Sequence, residues 1–159
     1  MKVLIVSDTH SHHSNLDLAL QRVGDIDMLI HLGDVEGEEE YIKRVVECPI
    51  HMVAGNNDFF STLEKEEEFS IGGYQVFITH GHYYYVSMNH ERIKQEARER
   101  KADIVMFGHT HKPLIDIGED VIALNPGSLS YPRQEGRRGS FILMDIDRWG
   151  EAHFTLNYI

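Results

Sequence analysis

The sequence predicts an α/β protein with a mixed sheet system, arranged as two sheets with helices outside them. Strand and helix alternate at the start of the chain, which favours a parallel sheet with right-handed crossovers. Further along, strands follow one another with few helices between them. The 159 residues, 42% hydrophobic and 26% charged, suit one globular domain over residues 1–159.

The first part of the chain is a β-α-β-α-β series. Short apolar runs predict its strands, and apolar side chains at helical spacing predict its helices. Ser14 or Asn15 is expected near the N-terminal cap of the first helix. In order, the predicted elements are a strand over 2–6, a helix over 16–23, a strand over 28–32, a helix over 38–46 and a strand over 50–54.

The second part is dominated by strands. Gly72-Gly73 between two apolar runs is typical of a β-hairpin turn. The predicted elements are strands over 69–71 and 74–79, a helix over about 89–100, a strand over 103–107, and four further strands over 114–117, 121–124, 141–146 and 152–156.

Composition restricts the function. The formal net charge of −11 leaves no surplus of basic side chains to neutralise phosphates, so general nucleic-acid binding is not expected. No apolar run approaches the roughly 18 residues of a transmembrane helix, so no membrane association is expected either. Cys48 is the single cysteine, which excludes an intrachain disulfide and favours a reducing cytoplasm.

Polar residues follow five of the predicted strands. The segments are Ser7-Asp8-Thr9-His10, His31-Leu32-Gly33-Asp34, Gly55-Asn56-Asn57-Asp58, Thr79-His80-Gly81-His82 and Gly108-His109-Thr110-His111. Each is a weak signal alone, because Gly-Asp and Asn-Asn-Asp are also common in turns. In open α/β sheets, however, ligands bind beyond the carboxyl ends of the strands. Five such segments at one rim therefore predict a binding site.

The side chains at this rim indicate metal ions. They offer two carboxylates, an amide oxygen and four imidazoles without a thiolate, a set that suits Mn²⁺, Fe²⁺, Zn²⁺ or Mg²⁺. Seven ligands are too many for one tetrahedral ion, but they suit two ions that share a carboxylate. The candidate ligands are Asp8, His10, Asp34, Asn56, His80, His109 and His111.

The five segments, in this order, resemble the calcineurin-like metallophosphoesterases. They are most similar to the smallest branch, the bacterial and archaeal phosphodiesterases related to the retromer scaffold subunit, and the resemblance runs from Val3 to about Ser128. It implies a four-layer α/β/β/α sandwich of two mixed sheets flanked by helices. The implied ligands of one metal are Asp8, His10 and His111, those of the other are Asn56, His80 and His109, and Asp34 bridges the two.

The implied reaction is hydrolysis of small phosphate diesters. Two cations about 3.5–4 Å apart lower the pKa of a bridging water, so that a hydroxide attacks, and clamp the phosphoryl oxygens for in-line displacement. Mn²⁺ is the expected ion, with Ni²⁺, Fe²⁺, Zn²⁺ and Mg²⁺ as alternatives. Asn125-Pro126-Gly127-Ser128 resembles this branch's loop beside the site, so Asn125, Gly127 and Ser128 are expected to bind substrate.

One position departs from the wider family. Its usual Gly-Asn-His-Asp/Glu segment supplies a histidine that protonates the leaving oxygen, and that position is Asn57 here. An amide cannot act as a general acid at neutral pH. Asn57 is therefore expected to bind substrate, and Asp58 to accept a hydrogen bond from a ligand histidine. His82 is expected either to scaffold its loop or to supply the catalytic proton.

Four further side chains near these segments carry predictions. His31, inside the second strand, is expected to be a hydrogen-bonded core histidine rather than a ligand. Of Arg133, Arg137 and Arg138, which follow the Pro-Gly loop, one is expected to reach the phosphate and the other two to be exposed.

Two other functions stay open. One is a metal-binding scaffold with a vestigial site, as in the retromer relative, and the other is a phosphomonoesterase. Retention of all seven candidate ligands favours an enzyme, and the short chain without extra recognition elements disfavours the monoesterase. The sequence is compatible with a monomer or a homo-oligomer.

Overall fold

The computed structural model describes residues 1–159 as two five-stranded sheets packed face to face, with helices on both outer sides. The four-layer α/β/β/α arrangement is confirmed. The elements are β1 Lys2–Val6, α1 Ser14–Val23, β2 Met28–His31, α2 Glu39–Val45, β3 Ile50–Met52, β4 Glu66–Ile71, β5 Tyr74–Thr79, a 3₁₀ turn His82–Tyr84, α3 Glu91–Glu99, β6 Ile104–Met106, β7 Pro113–Ile117, β8 Ile122–Pro126, β9 Ser140–Ile146 and β10 Ala152–Tyr158. None of the helices combines the length and the apolar character of a membrane span.

The first sheet has the strand order β10-β9-β1-β2-β3. Strands β1, β2 and β3 run parallel, with Leu4 opposite Leu29 and Leu29 opposite Ile50, whereas β9 pairs with β1 in the antiparallel sense. Because the three parallel strands point the same way, the segments that follow β1, β2 and β3 leave the sheet at one rim.

The second sheet has the strand order β4-β5-β6-β8-β7. Strands β5, β6 and β8 are parallel, and β4 and β7 pair at the edges in the antiparallel sense. The predicted hairpin joins β4 to β5 through Gly72 and Gly73, whose φ angles of 55° and 93° suit a turn that needs positive φ. The segments after β5 and β6 leave this sheet side by side.

Strand β1 shows how the layers share the apolar side chains. Val3 and Ile5 point into the core between the two sheets, and Leu4 and Val6 pack on the side covered by α1 and α2. All four are fully buried, so the strand appears in the sequence as an unbroken apolar run. On the far side, α3 covers the second sheet through Ile93.

Most elements differ from their predicted bounds by one to three residues at an end, and α1 and β4 show why. Helix α1 begins at Ser14 with His13 in the cap position and no side-chain cap, while Asn15 donates a hydrogen bond to the carbonyl of Leu129. Strand β4 begins at Glu66, three residues before the predicted start. Its acidic side chains pair with Arg100, whose guanidinium lies 2.7 Å from carboxylates of both Glu66 and Glu68. Ion pairing therefore allows a charged segment to form a strand.

Candidate metal centre

The five polar segments meet at one rim of the two packed sheets. Backbone hydrogen bonds join neighbouring segments: Asp8 N–H donates to the carbonyl of Gly33 at 3.0 Å, and His10 N–H to that of Asp34 at 2.9 Å. In the second sheet, Gly108 N–H donates to the carbonyl of His80 at 3.1 Å. The structure brings all seven candidate ligands together in two adjoining groups.

The first group consists of Asp8, His10, Asp34 and His111. One potential ligand atom from each lies within 4.8 Å of all the others. His111 Nε2 is 3.0 Å from Asp8 Oδ1 and 3.4 Å from His10 Nε2. His10 Nε2 is in turn 3.8 Å from Asp34 Oδ2.

The second group surrounds the amide oxygen of Asn56. This Oδ1 atom lies 3.0 Å from His80 Nε2 and 2.8 Å from His109 Nδ1. His80 Nε2 is 3.6 Å from Asp34 Oδ2, the same oxygen that faces His10. The carboxylate of Asp34 therefore lies between the two groups.

Three imidazoles are oriented by acceptors on their far side. Nδ1 of His80 lies 2.7 Å from the carbonyl of Leu32, and Nδ1 of His111 lies 2.7 Å from the carbonyl of Tyr131. Nδ1 of His10 lies 2.7 Å from a carboxylate oxygen of Glu36, a residue that composition alone would assign to a solvated acidic run. These acceptors place the ring hydrogen on Nδ1, as outer partners of metal-bound histidines usually do.

The tautomer with the ring hydrogen on Nδ1 indicates whether the donor atoms of the centre suit cations. A neutral imidazole with its hydrogen on Nδ1 presents only a lone pair at Nε2. The Nε2 lone pairs of His10 and His111 then face each other at 3.4 Å, and that of His80 faces the Asn56 oxygen at 3.0 Å. Within hydrogen-bond distance, the buried Asp8 Oδ1 faces only Nε2 of His111, at 3.0 Å, and this nitrogen carries no hydrogen in the same tautomer. Acceptor facing acceptor is unfavourable unless a cation lies between them, so the donor set fits divalent ions.

The backbone at the centre is strained. Residues other than glycine rarely adopt positive φ, and holding one there costs about 1–3 kcal/mol. Five of the candidate ligands do so, with φ angles between 46° and 67°: Asp8, His10, Asp34, His109 and His111. Such a concentration is typical of functional sites, because surrounding contacts must maintain the conformation.

Asp58 supplies such contacts. Its Oδ2 accepts hydrogen bonds from the N–H groups of Asp34 at 2.8 Å and Gly55 at 2.7 Å, and its Oδ1 accepts one from Glu36 at 2.6 Å. The prediction that Asp58 accepts from a ligand histidine is wrong. The carboxylate instead ties the loop after β2 to the loop after β3, and so positions ligands through the backbone.

Asn57 hydrogen-bonds to the carboxylate of Asp34. Its N–H donates to Asp34 Oδ1 and its Nδ2 to Asp34 Oδ2, both at 2.8 Å. The close approach depends on Gly55, because a Cβ there would lie 2.1 Å from Asp34 Oδ1. Gly55 and Asn57 thus fix the direction of the shared carboxylate, and a contact of Asn57 with substrate stays a prediction.

The predicted substrate loop lies inside the protein. Asn125 is fully buried, donates to the carbonyl of Gly108 at 2.8 Å and accepts from Gly127 N–H at 2.8 Å. Ser128 is equally buried and donates to the carbonyl of Asp8 at 2.8 Å. A contact of Asn125, Gly127 and Ser128 with substrate stays a prediction, because the structure assigns the side chains of Asn125 and Ser128 to hydrogen bonds within the protein. They brace the loops that present Asp8 and His109.

Comparison with known proteins agrees with this geometry. The model of the calcineurin-like phosphoesterase superfamily domain matches residues 1–148. The chain belongs to the calcineurin-like phosphoesterase superfamily. A probable metallophosphoesterase of Bacillus subtilis is 30% identical over 148 residues, which cover 92% of this chain and 85% of that protein.

Two further relatives of this phosphoesterase differ in their descriptions. A phosphodiesterase of Methanocaldococcus jannaschii is 30% identical over 145 residues, which cover 80% of this chain and 83% of that protein. The crystal structure of wild-type Vps29 complexed with Zn²⁺, from Entamoeba histolytica, has a TM-score of 0.79 and 25% identity and covers 99% of each chain. The fold is thus shared by phosphoesterases and by Vps29.

The pKa shifts in the phosphoesterase centre follow from burial and charge. Burial opposes ionisation of Asp8, but His111 and the charge of His80 outweigh it and lower the Asp8 pKa. Burial likewise opposes protonation of His111, but Asp8 outweighs it and raises the His111 pKa. Asp8 and His111 thus stabilise each other's charged forms, and a cation between them would replace the proton on His111.

His82 lies beside the centre, in the 3₁₀ turn after β5. Burial, with the charges of His80 and His109, lowers the pKa of His82 to about 4. Its ring centroid is 5.4 Å from that of His80, and its Nδ1 is buried without a hydrogen-bond partner. Added cations would lower this pKa further, so the imidazolium form needed for a general acid is disfavoured at neutral pH.

His31 is a core histidine, as predicted. It is fully buried, accepts from Gly33 N–H at its Nδ1 and therefore donates from Nε2 to Thr9 Oγ1 at 3.0 Å. Burial lowers its pKa to about 4. Its neutral ring links the loops after β1 and β2 without facing the centre.

The three arginines after the Pro-Gly loop lie at two different places in the structure. Arg133 and Arg137 line a cleft of about 480 Å³ that also contains His10, His111 and Tyr131. Arg138 donates to the carbonyl of Ile159 at 3.1 Å and lies over the ring of Tyr158. Arg138 is thus engaged at the C-terminus rather than at the centre.

The role of Asp58 predicts the effect of Asp58→Asn. The amide replaces one acceptor oxygen by a donor and leaves at least one buried N–H of the ligand loops unpaired. Because such a group costs about 1–3 kcal/mol, we expect the free energy of unfolding to fall by that amount. Metal content should fall as well. Urea denaturation and elemental analysis measure both, with Asp25→Asn, at an exposed position, as the control. Unchanged stability and metal content would contradict this role.

Proposed function

We propose that the protein is a phosphodiesterase that hydrolyses small phosphate diesters with two divalent metal ions, Mn²⁺ being the expected ion. The position of Asp34 carries this proposal. Its Oδ2 lies 3.8 Å from His10 Nε2 in one group and 3.6 Å from His80 Nε2 in the other. One carboxylate shared by two sets of donors is the arrangement that a pair of ions requires.

The candidate ligands would form two sets, one for each ion, that share Asp34. Asp8, His10 and His111 would hold one ion, Asn56, His80 and His109 the other, and Asp34 both. When bound, the ions would activate water as the nucleophile and stabilise charge on the phosphoryl oxygens. Two divalent ions outweigh the two carboxylates, so the centre is locally positive, which allows a chain of net charge −11 to bind a phosphate ester.

A diester is favoured over a monoester by the relatives and by Asn57. The phosphodiesterase of Methanocaldococcus jannaschii is similar over most of its length. Asn57 cannot protonate a leaving group, and its amide holds Asp34 instead. Turnover should therefore depend on leaving groups that depart without a proton.

A metal-binding scaffold is the second candidate, because Vps29 shares the fold over the full chain. That Vps29 structure contains Zn²⁺, so metal binding by itself does not separate the two functions. Turnover does. An enzyme must hydrolyse an activated diester when both ions are bound, whereas a scaffold with a vestigial site need not.

Asp34→Asn tests the shared carboxylate. A neutral amide would leave two cations repelling each other, and its Nδ2 would face Nδ2 of Asn57 or a metal. We expect loss of turnover and of most bound metal, measured by diester hydrolysis and elemental analysis. Asp120→Asn, at an exposed position, is the matched control. Two retained metal ions with normal activity would rule out the two-ion proposal.

A substrate panel tests the reaction class. With Mn²⁺ we expect rapid hydrolysis of bis(p-nitrophenyl) phosphate and slow hydrolysis of a dialkyl phosphate, because nitrophenolate leaves without protonation. The monoester p-nitrophenyl phosphate should react more slowly than the diester. Faster monoester hydrolysis would identify a phosphomonoesterase. A protein that retains both metals yet hydrolyses neither compound would favour the scaffold.

Asn57→His tests the missing proton donor. The backbone N–H of residue 57 still reaches Asp34, but the bond from Asn57 Nδ2 is lost, which should slow all substrates alike. A restored acid should speed only alkyl or nucleoside leaving groups, since general acid catalysis contributes about 10²–10⁴-fold. We therefore expect the ratio of alkyl to nitrophenyl rates to rise.

His82→Ala, measured on the same two substrates, is the comparison for Asn57→His. It should leave that ratio unchanged, because the His82 pKa of about 4 keeps its ring neutral. If His82→Ala slows only the alkyl diester and Asn57→His changes neither substrate, His82 is the proton donor and our assignment fails.

A further inference from the structure

One side of the candidate metal centre opens into the arginine cleft, which we define by His10, His111, Tyr131, Pro132, Arg133 and Arg137. Its volume of about 480 Å³ is in the range of small-molecule sites. Two candidate metal ligands form its inner wall, so a molecule in the cleft lies next to the phosphate that the centre would hold. The backbone N–H of Arg133 donates to the carbonyl of His111 at 2.9 Å, which fixes this segment to the centre.

The two guanidinium groups of the cleft have no carboxylate partner. The chain has 26 acidic and 15 basic residues, and Arg100, for comparison, pairs with three carboxylates. Arg133 and Arg137 form no ion pair, and only their backbone N–H groups donate hydrogen bonds within the protein. Two cations without a carboxylate partner therefore line one cleft, which favours binding of an anion there.

We propose that the arginine cleft binds a second phosphate group of the substrate, carried on the ester arm that remains attached to the scissile phosphate. This inference rests on the proposed diesterase function and specifies its substrate class. Guanidinium groups bind phosphate through paired N–H donors, which favours Arg over Lys at such sites. The preferred substrates are then phosphate diesters with an additional phosphate, as in derivatives of nucleoside bisphosphates.

Tyr131 provides the surface between the two phosphates. Its ring is 50% exposed and packs edge-on against His10, with the ring centroids 5.1 Å apart. It therefore presents an apolar face between the arginines and the metal ligands. The organic part of the substrate that links the two phosphates would lie on this face.

Two chromogenic substrates that differ only in the second phosphate test the proposal. These are the p-nitrophenyl ester of thymidine 5′-phosphate and the same compound with a 3′-phosphate. Water displaces nitrophenolate from the 5′-phosphorus in both, so the chemistry and the leaving group are identical. We expect kcat/KM to be about tenfold or more higher for the 3′-phosphorylated compound, mostly through KM, because a charge-assisted contact distant from the reacting bond contributes uniform binding.

Arg133→Gln and Arg137→Gln should each lower this selectivity ratio about threefold or more, and the double variant should bring it to about one. Arg98→Gln removes the same charge from α3, on the opposite outer layer, and should leave the ratio unchanged. If the variants lose the same factor with both substrates, the arginines contact the scissile phosphate or only support the loop. A wild-type ratio of about one would also overturn the proposal.

Calorimetry provides a readout that does not depend on turnover. Wild-type protein should bind thymidine 3′,5′-bisphosphate more tightly than thymidine 5′-phosphate. Arg133→Gln should reduce the difference, and the double variant with Arg137→Gln should abolish it. If no diester is hydrolysed but this difference is found, the diesterase proposal fails and the anion cleft stands. If diesters are hydrolysed but the two nucleotides bind equally, the cleft assignment fails and the diesterase proposal stands.

Discussion

The carboxylate of Asp34 lies between two groups of imidazoles, and the arrangement of the whole rim depends on holding it there. Its Oδ2 faces His10 on one side and His80 on the other, and both its oxygens accept hydrogen bonds from Asn57. Without cations, the lone pairs around this carboxylate face one another at short distances. The same residues become complementary once positive charge is placed between them, and the proposed binding of a phosphate ester by an acidic chain rests on this charge.

The fold supports this constraint from two directions. Parallel strands of both sheets end at one rim, so candidate ligands that are distant in sequence arrive together. The backbone must then turn sharply, and five candidate ligand residues adopt positive φ. Buried polar residues below the rim, among them Asp58 and Asn125, use their hydrogen bonds to hold these turns. The strain is maintained by side chains that hydrogen-bond to the backbone of these turns.

The sequence was sufficient for the layers and for the composition of the rim, because both rest on local signals. Apolar runs such as that of β1 are buried on both faces, and polar residues directly follow the strands. The roles of Glu36, Asp58 and Asn125 could not be predicted. Each depends on a hydrogen bond to a segment that only the fold brings near, and residue type does not specify the partner. Likewise, the strand position of the Glu66–Glu68 segment involves pairing of Glu66 and Glu68 with Arg100, which is distant in sequence.

Electron paramagnetic resonance of the protein loaded with Mn²⁺ tests the central claim most directly. If Asp34 is shared by two ions, the low-temperature spectrum at full loading should be that of an exchange-coupled pair, because a bridging carboxylate brings the ions into magnetic contact. At two ions per chain the coupled signal should be present whatever the order in which the sites fill. At lower loading it should persist only if the two sites fill together. A spectrum of isolated Mn²⁺ at two ions per chain, or saturation at one ion, would contradict the account.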